Sequence, residues 1–79
     1  MNKMLKTMME NYKALMNDHK RDYEKECYES REEFKKAVKN EYNKMLDVLH
    51  GMSRYECISQ EDYITLSEEC LDYALDMLV

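Results

Sequence analysis

Apolar residues recur every eleven positions along the first fifty residues of the chain. One row contains Tyr12, Tyr23, Phe34 and Met45, and a second row, four positions away, contains Leu5, Met16, Cys27, Val38 and Leu49. An eleven-residue repeat corresponds to about 3.67 residues per turn, close to the period of a straight α-helix. The pattern therefore predicts one nearly straight helix over residues 2–50, with both rows on one face.

The apolar face becomes thin between residues 17 and 31, where the long helix is expected to kink or break. The sizeable apolar side chains in this stretch are Tyr23, Cys27 and Tyr28. Ser30 and Glu33 have the spacing of a capping box at a helix start. The alternative fold is therefore a compact three-helix bundle with helices near 2–28, 31–50 and 60–78. Against a break, no Gly, Pro or Asn lies near residue 30 to form a tight reversal.

A further helix is predicted over residues 60–78. Gly51 follows the periodic segment and suits the left-handed backbone position just after a helix end, so the first helix is expected to stop near His50. The connection over residues 51–59 ends in Ser59, whose hydroxyl suits an N-cap. The first arrangement is thus a long helix and a shorter one in a helical hairpin, associating as a bundle.

The composition is typical of a single all-α domain spanning residues 1–79. The 79 residues include no Pro and one Gly, which excludes a sheet with many hairpin turns. The three cysteines have no C-x-x-C spacing, so neither a disulfide framework nor a zinc site is expected. No apolar run is long enough to span a bilayer, and no signal peptide is recognised. We expect a cytoplasmic protein.

The apolar surface of the two predicted helices exceeds what one hairpin can cover. Apolar residues of the last helix spread over roughly 200° of its circumference, about twice the width that one neighbouring helix covers. A two-fold homodimer is the simplest way to bury this excess, whereas in the three-helix alternative the last helix has two neighbours within the chain. The residues predicted to form the core or the dimer seam are Leu5, Met8, Tyr12, Met16, Tyr23, Cys27, Phe34, Val38, Met45, Leu49, Tyr63, Leu66, Cys70, Leu71 and Ala74.

Acidic residues are concentrated in two rows. Residues 53–79 contain seven acidic and one basic residue, and the rest of the chain, with ten acidic and eleven basic residues, sums to +1. The row in the last helix contains Glu61, Asp62, Glu68, Glu69, Asp72 and Asp76. The second row contains Asp18, Asp22, Glu26, Glu29 and Glu33. Such rows are either solvated faces or negative surfaces that dock on a basic partner.

The sequence contains no pattern typical of catalysis. His19 and His50 have no Ser or Cys at an informative spacing, and the chain contains no phosphate-binding loop and no metal-ligand motif, so no cofactor or metal is expected. The hypothesis is a small acidic, non-enzymatic regulator that binds another protein with a basic surface, as an inhibitor that occludes a nucleic-acid-binding site. In size and charge the chain resembles the small accessory proteins that phages make to inhibit host nucleic-acid machinery.

The composition and charge also bear on two other functions. The alternative is a scaffold coiled coil that associates only with itself. Direct binding of nucleic acid is not expected, because the net charge is −5 and only one flank of the long helix is basic.

Overall fold

Residues 3–79 fold into three α-helices. A computed structural model describes residues 3–79, with α1 at Lys3–Glu24, α2 at Arg31–Arg54 and α3 at Gln60–Leu78. No strand occurs within residues 3–79, and the helices pack as a compact three-helix bundle. The all-α prediction is confirmed in its three-helix form. A continuous first helix is wrong, since α1 ends at Glu24, and its predicted start at residue 2 lies outside the described residues.

The break after α1 is formed by a helix ending that normally uses glycine. Glu26 adopts the left-handed backbone conformation, with φ 60°. Its N–H donates to the carbonyl of Tyr23 at 3.0 Å, and the N–H of Cys27 donates to the carbonyl of Asp22 at 2.9 Å. These two bonds define a Schellman motif. A non-glycine residue pays roughly 1 kcal/mol or more for this conformation. The absence of Gly or Asn therefore did not prevent the chain from reversing.

The second turn repeats this geometry, and it contradicts the expected helix end at Gly51. Gly51 lies inside α2, which continues to Arg54. Glu56 takes the left-handed conformation instead, with φ 58°, and the N–H of Cys57 donates to the carbonyl of Met52 at 2.7 Å. The extra helical residues place Met52 against the core. Packing of that side chain thus favours the longer helix over an early stop at the glycine.

Serine caps begin both helices that follow the turns. The hydroxyl of Ser30 accepts a hydrogen bond from the N–H of Glu33 at 3.3 Å, and that of Ser59 accepts one from Asp62 at 3.0 Å. Each cap satisfies a backbone donor that has no partner within the helix. Both caps stand where the sequence predicts them.

All three helices contribute to one core. The buried residues are Leu5, Met9, Tyr12, Met16, Phe34, Val38, Met45, Leu49, Ile58, Leu66, Cys70 and Ala74. Apart from Cys27, the residues of the eleven-residue rows still point inward, because each half keeps its own helical phase after the break. Met8, Tyr23 and Tyr63, also predicted, are partly buried against this core.

Two predicted core residues are exposed, and two buried residues were not predicted. Cys27 is exposed because it lies in the turn after α1, and Leu71 is exposed because it lies at the outer edge of the contact between α3 and α2. Met9 and Ile58 are buried. Ile58 immediately precedes the cap of α3, at the position where a hydrophobic residue packs against the first turns of the helix.

Candidate functional site

Four carboxylates form a row along the outer side of α3. Glu61, Glu68, Asp72 and Asp76 are all exposed and follow one another at helical spacings, on the side opposite buried Leu66. None of the four has an ion-pair partner within residues 3–79. The helix itself contains no Lys or Arg. We call these four residues the acidic row.

The other two predicted acids of α3 do not belong to this row. Glu69 faces α1, where its Oε1 lies 2.6 Å from the Nζ of Lys13. This hydrogen bond raises the pKa of Lys13. Asp62 is half-buried at the capped start of the helix. Glu69 is thus held by a contact with α1, and Asp62 lies in the first turn of α3.

The second acidic row predicted from the sequence is dispersed by the break between α1 and α2. Asp18 and Asp22 lie on α1, and Asp18 pairs with Arg21 on the same helix. Glu26 and Glu29 lie in the connection between α1 and α2. Glu33 lies in the first turn of α2, where its negative charge interacts favourably with the positive end of the helix dipole. All five are exposed, but they do not continue along one helix face.

A stripe of exposed apolar residues runs beside the acidic row. Ile64, Leu71 and Leu75 remain 47%, 41% and 49% exposed. They are seven and four positions apart, so they share one face of α3. We call these three residues the apolar stripe. A large apolar surface with a polar border is typical of interaction sites in soluble proteins.

The apolar stripe lies on the side of α3 that faces α2. At one end of the two antiparallel helices, Arg31 donates to the carbonyl of Leu78 at 3.0 Å, and at the other end the Nδ1 of His50 lies 3.0 Å from the hydroxyl of Tyr63. The α2 residues between Arg31 and His50 at helical spacing are Lys35, Lys39, Tyr42 and Leu46. This row of α2 therefore borders the stripe on the side away from the acidic row.

A polar cluster joins α1, the first turn and α2. The hydroxyl of Tyr28 lies 2.7 Å from Nδ1 of His19, whose Nε2 lies 3.2 Å from Oε1 of Glu41. A carboxylate only accepts hydrogen bonds, so Nε2 donates to Glu41, and in the neutral ring Nδ1 then accepts from the Tyr28 hydroxyl. Burial raises the pKa of Tyr28. His19 and Glu41 are two repeats apart in the eleven-residue pattern, and that spacing was the available signal for this pair. The cluster links the turn at Tyr28 to both α1 and α2.

The three cysteines lie in different parts of the bundle. Burial raises the pKa of the Cys70 thiol to about 11, so it stays protonated at neutral pH. Cys27 and Cys57 are exposed and lie in different turns. Within residues 3–79, no three His, Cys, Asp or Glu side chains are arranged to hold a metal ion. No helix in this part of the chain is apolar and long enough to cross a bilayer.

Comparison with protein-family models, curated protein sequences and solved structures gives no match to this chain. The site is therefore interpreted from its own geometry.

Proposed function

We propose that this chain is a non-enzymatic regulator that binds another protein through the acidic row and apolar stripe of α3. One observation carries the proposal: α3 presents four exposed carboxylates beside three exposed apolar side chains. The carboxylates have no ion-pair partner within residues 3–79, and α3 contains no Lys or Arg. Carboxylates in a row attract a basic surface, and apolar contacts supply the affinity that screened surface charges do not.

A basic surface on the partner is the expected complement. Nucleic-acid-binding proteins carry such surfaces for phosphate contacts, so a bound acidic helix would occlude them. The proposed mechanism is competitive: the partner loses nucleic acid while the chain is bound. Its net charge of −5 also speeds encounter with a basic partner at low salt.

The test uses the full chain immobilised in a lysate of the source cells. We expect wild type to retain a specific basic protein, identified by mass spectrometry, and the double variant Glu68→Lys with Asp72→Lys to lose it. The matched control is Glu10→Lys with Asp47→Lys, which makes the same charge change at exposed positions on α1 and α2. Equal retention by all three proteins would contradict a role for α3. The retained protein should also release labelled nucleic acid when the chain is added.

Self-association is the second candidate function, because exposed apolar residues also occur between α1 and α2. Leu15 and Val48 are 46% and 48% exposed and border a groove of about 370 Å³ together with Met8 and Met45. A second copy could bury this surface by two-fold symmetry. Light scattering decides this question, since a monomeric mass over a wide concentration range would exclude a scaffold that associates only with itself.

A further inference from the structure

The apolar stripe is bordered by opposite charges on its two long sides. The acidic row lies on one side, and the α2 row with Lys35 and Lys39 lies on the other. The shallow face between α2 and α3 is therefore elongated, apolar along its middle and charged along its borders. This is the form of a site for an amphipathic helix, which places its own apolar residues along the middle.

The charges on this face are unequal, and the inequality indicates the kind of helix. Arg31 already donates to the carbonyl of Leu78, and the Nζ of Lys35 lies 3.8 Å from the carboxylate of Glu32. Of the basic side chains in this α2 row, Lys39 is the one without a partner in the described residues. The acidic row, by contrast, offers four carboxylates without ion-pair partners. An occupant must therefore bring several bases.

A second copy of the chain does not meet this requirement. Two-fold symmetry would bring four more carboxylates and one more lysine without a partner to the interface. It would also bring together two molecules that each have a net charge of −5. Like-charge repulsion of this kind opposes association at low salt.

We infer that the face between α2 and α3 binds a basic amphipathic helix of a partner protein, whose apolar side chains cover Ile64, Leu71 and Leu75 and whose Lys or Arg residues pair with the acidic row. The inference rests on the function proposed above and specifies the partner's binding element. The bound helix lies against α2 and α3 and is the fourth helix of the assembly, with α1 on the far side of the core. On the partner helix, the Lys or Arg residues lie next to the row of apolar residues and not on the opposite face.

The probe is a synthetic helical peptide of about 21 residues, with Leu at the stripe positions and Lys beside them. A second peptide of the same composition has its Lys residues on the side opposite the Leu stripe. Fluorescence anisotropy with the full chain should show the first peptide binding at least about tenfold more tightly, because its Lys residues reach the acidic row. Raising the salt from about 0.05 M to about 0.5 M should reduce this difference.

Two pairs of variants locate the peptide on the chain. Leu71→Gln with Leu75→Gln should weaken binding at least about tenfold, since both side chains lie under the bound helix. Leu15→Gln with Val48→Gln removes similarly exposed apolar groups from the face between α1 and α2, and should leave binding unchanged. All four positions are at least 41% exposed, so the variants should keep wild-type circular dichroism spectra.

Three results would overturn the inference. The two peptides could bind equally, or the two pairs of variants could weaken binding equally. Alternatively, light scattering could show a dimer that becomes monomeric in Leu71→Gln with Leu75→Gln, which would make a second copy the occupant. If capture of a basic protein depends on Glu68 and Asp72 while the peptide does not bind, the proposed function stands and the helical partner is wrong.

Discussion

The two sides of α3 differ in how they meet the rest of the bundle. Toward α1, polar contacts follow one another along the helix: Lys13 with Glu69 at 2.6 Å, the hydroxyl of Tyr73 with Asn17 at 2.9 Å, and the hydroxyl of Tyr12 with the carbonyl of Cys70 at 2.8 Å. Lys13 also lies over the ring of Tyr73, 5.7 Å from its centroid. These polar contacts lie within residues 69–73, in the middle of α3.

Toward α2, polar side-chain contacts occur at the two ends of the helix, at Tyr63 and Leu78. Between them the apolar stripe remains exposed to solvent. The stripe lies outside the core cluster, and its side chains keep 41–49% of their surface exposed, so packing within the bundle accounts for only part of its apolar character. Covering it would recover about 25 cal/mol per Å² of buried apolar surface. Because α3 packs closely against α2 as well as α1, the two sides differ in their polar contacts, and the exposed edge beside α2 is where we place the proposed binding surface.

Alkaline pH should weaken the α1 side first, and this is the largest expected effect. Burial raises the pKa of Cys70 from 9.0 to about 11, burial raises the pKa of Tyr12 above 10.0, and the hydrogen bond to Glu69 raises the pKa of Lys13 above 10.5. Each group holds its proton more tightly in the folded state. Stability is therefore fully present below about pH 9 and falls as the pH rises through 9 to 11.

Urea unfolding between pH 7 and 11 measures this loss, which we expect to reach roughly 2 kcal/mol. The control is Cys70→Ala, which should flatten the part of the curve between pH 9 and 10, where Tyr12 does not yet titrate. A wild-type free energy of unfolding that stays constant up to pH 11 would show that these groups are not shielded as described.

The hydrogen bond from Tyr12 is the next test of the α1 side. Tyr12→Phe should lower the free energy of unfolding by about 1–2 kcal/mol, because a buried hydrogen bond to the Cys70 carbonyl is lost. Tyr42→Phe is the matched control, since Tyr42 is half-buried and its hydroxyl forms no hydrogen bond within the described residues. Chemical denaturation should give a change within about 0.5 kcal/mol for the control. Equal losses would mean that this contact does not distinguish the two sides.

Much of the fold was predictable from local signals. The spacing of apolar residues identifies the core faces of α1 and α2, and Ser30 and Ser59 identify the starts of α2 and α3 correctly. The sequence does not decide between a continuous helix and a break after α1, because Glu26 occupies the left-handed position where glycine is the usual signal. Glu56 likewise takes the left-handed position after α2, whereas the glycine expected there, Gly51, lies inside the helix. The predicted end of α2 is therefore wrong. Left-handed glutamates have no signature in a single sequence.

The candidate site was predicted in part. The acids of α3 were identified as one row, but the sequence did not separate Glu69, which pairs with Lys13 on another helix. That pairing depends on α1 and α3 running parallel side by side, which follows from the break. The row Asp18 to Glu33 required a continuous helix and was dispersed with it. The sequence predicts Leu71 in the core because a helical wheel of α3 shows the apolar arc of the helix. The wheel does not show how much of that arc the neighbouring helices cover.

The turn that leads into α3 allows a test of the helix endings. Gly51→Ala should raise the free energy of unfolding by about 1 kcal/mol, because Gly51 is helical and nothing lies within 4 Å of the added Cβ. Glu56→Gly should also raise it, by about 0.5–1 kcal/mol, because it relieves the left-handed strain. Urea unfolding measures both. Destabilisation by Gly51→Ala would restore the glycine as the helix end.

Ser67 gives the smallest and most selective comparison of the two sides. It lies one turn after Tyr63, and its Oγ is buried without a hydrogen-bond partner within residues 3–79. Ser67→Ala should therefore raise the free energy of unfolding by about 0.5 kcal/mol, since it removes an unpaired hydroxyl and favours the helix. Tyr73→Phe on the α1 side removes a paired hydroxyl and should lower it by about 0.5 kcal/mol.

Thermal or urea unfolding should show changes of opposite sign in the free energy of unfolding for these two variants. That result would distinguish the two sides of α3 by the hydrogen bonding of their hydroxyls alone. Both substitutions remove one hydroxyl from α3, so only the contact that each hydroxyl makes can account for a difference in sign. If both variants lose stability, Ser67 is hydrogen-bonded in solution and the α2 side is better satisfied than its contacts indicate. The apolar stripe and the acidic row would still distinguish the exposed side of α3, since neither substitution changes them.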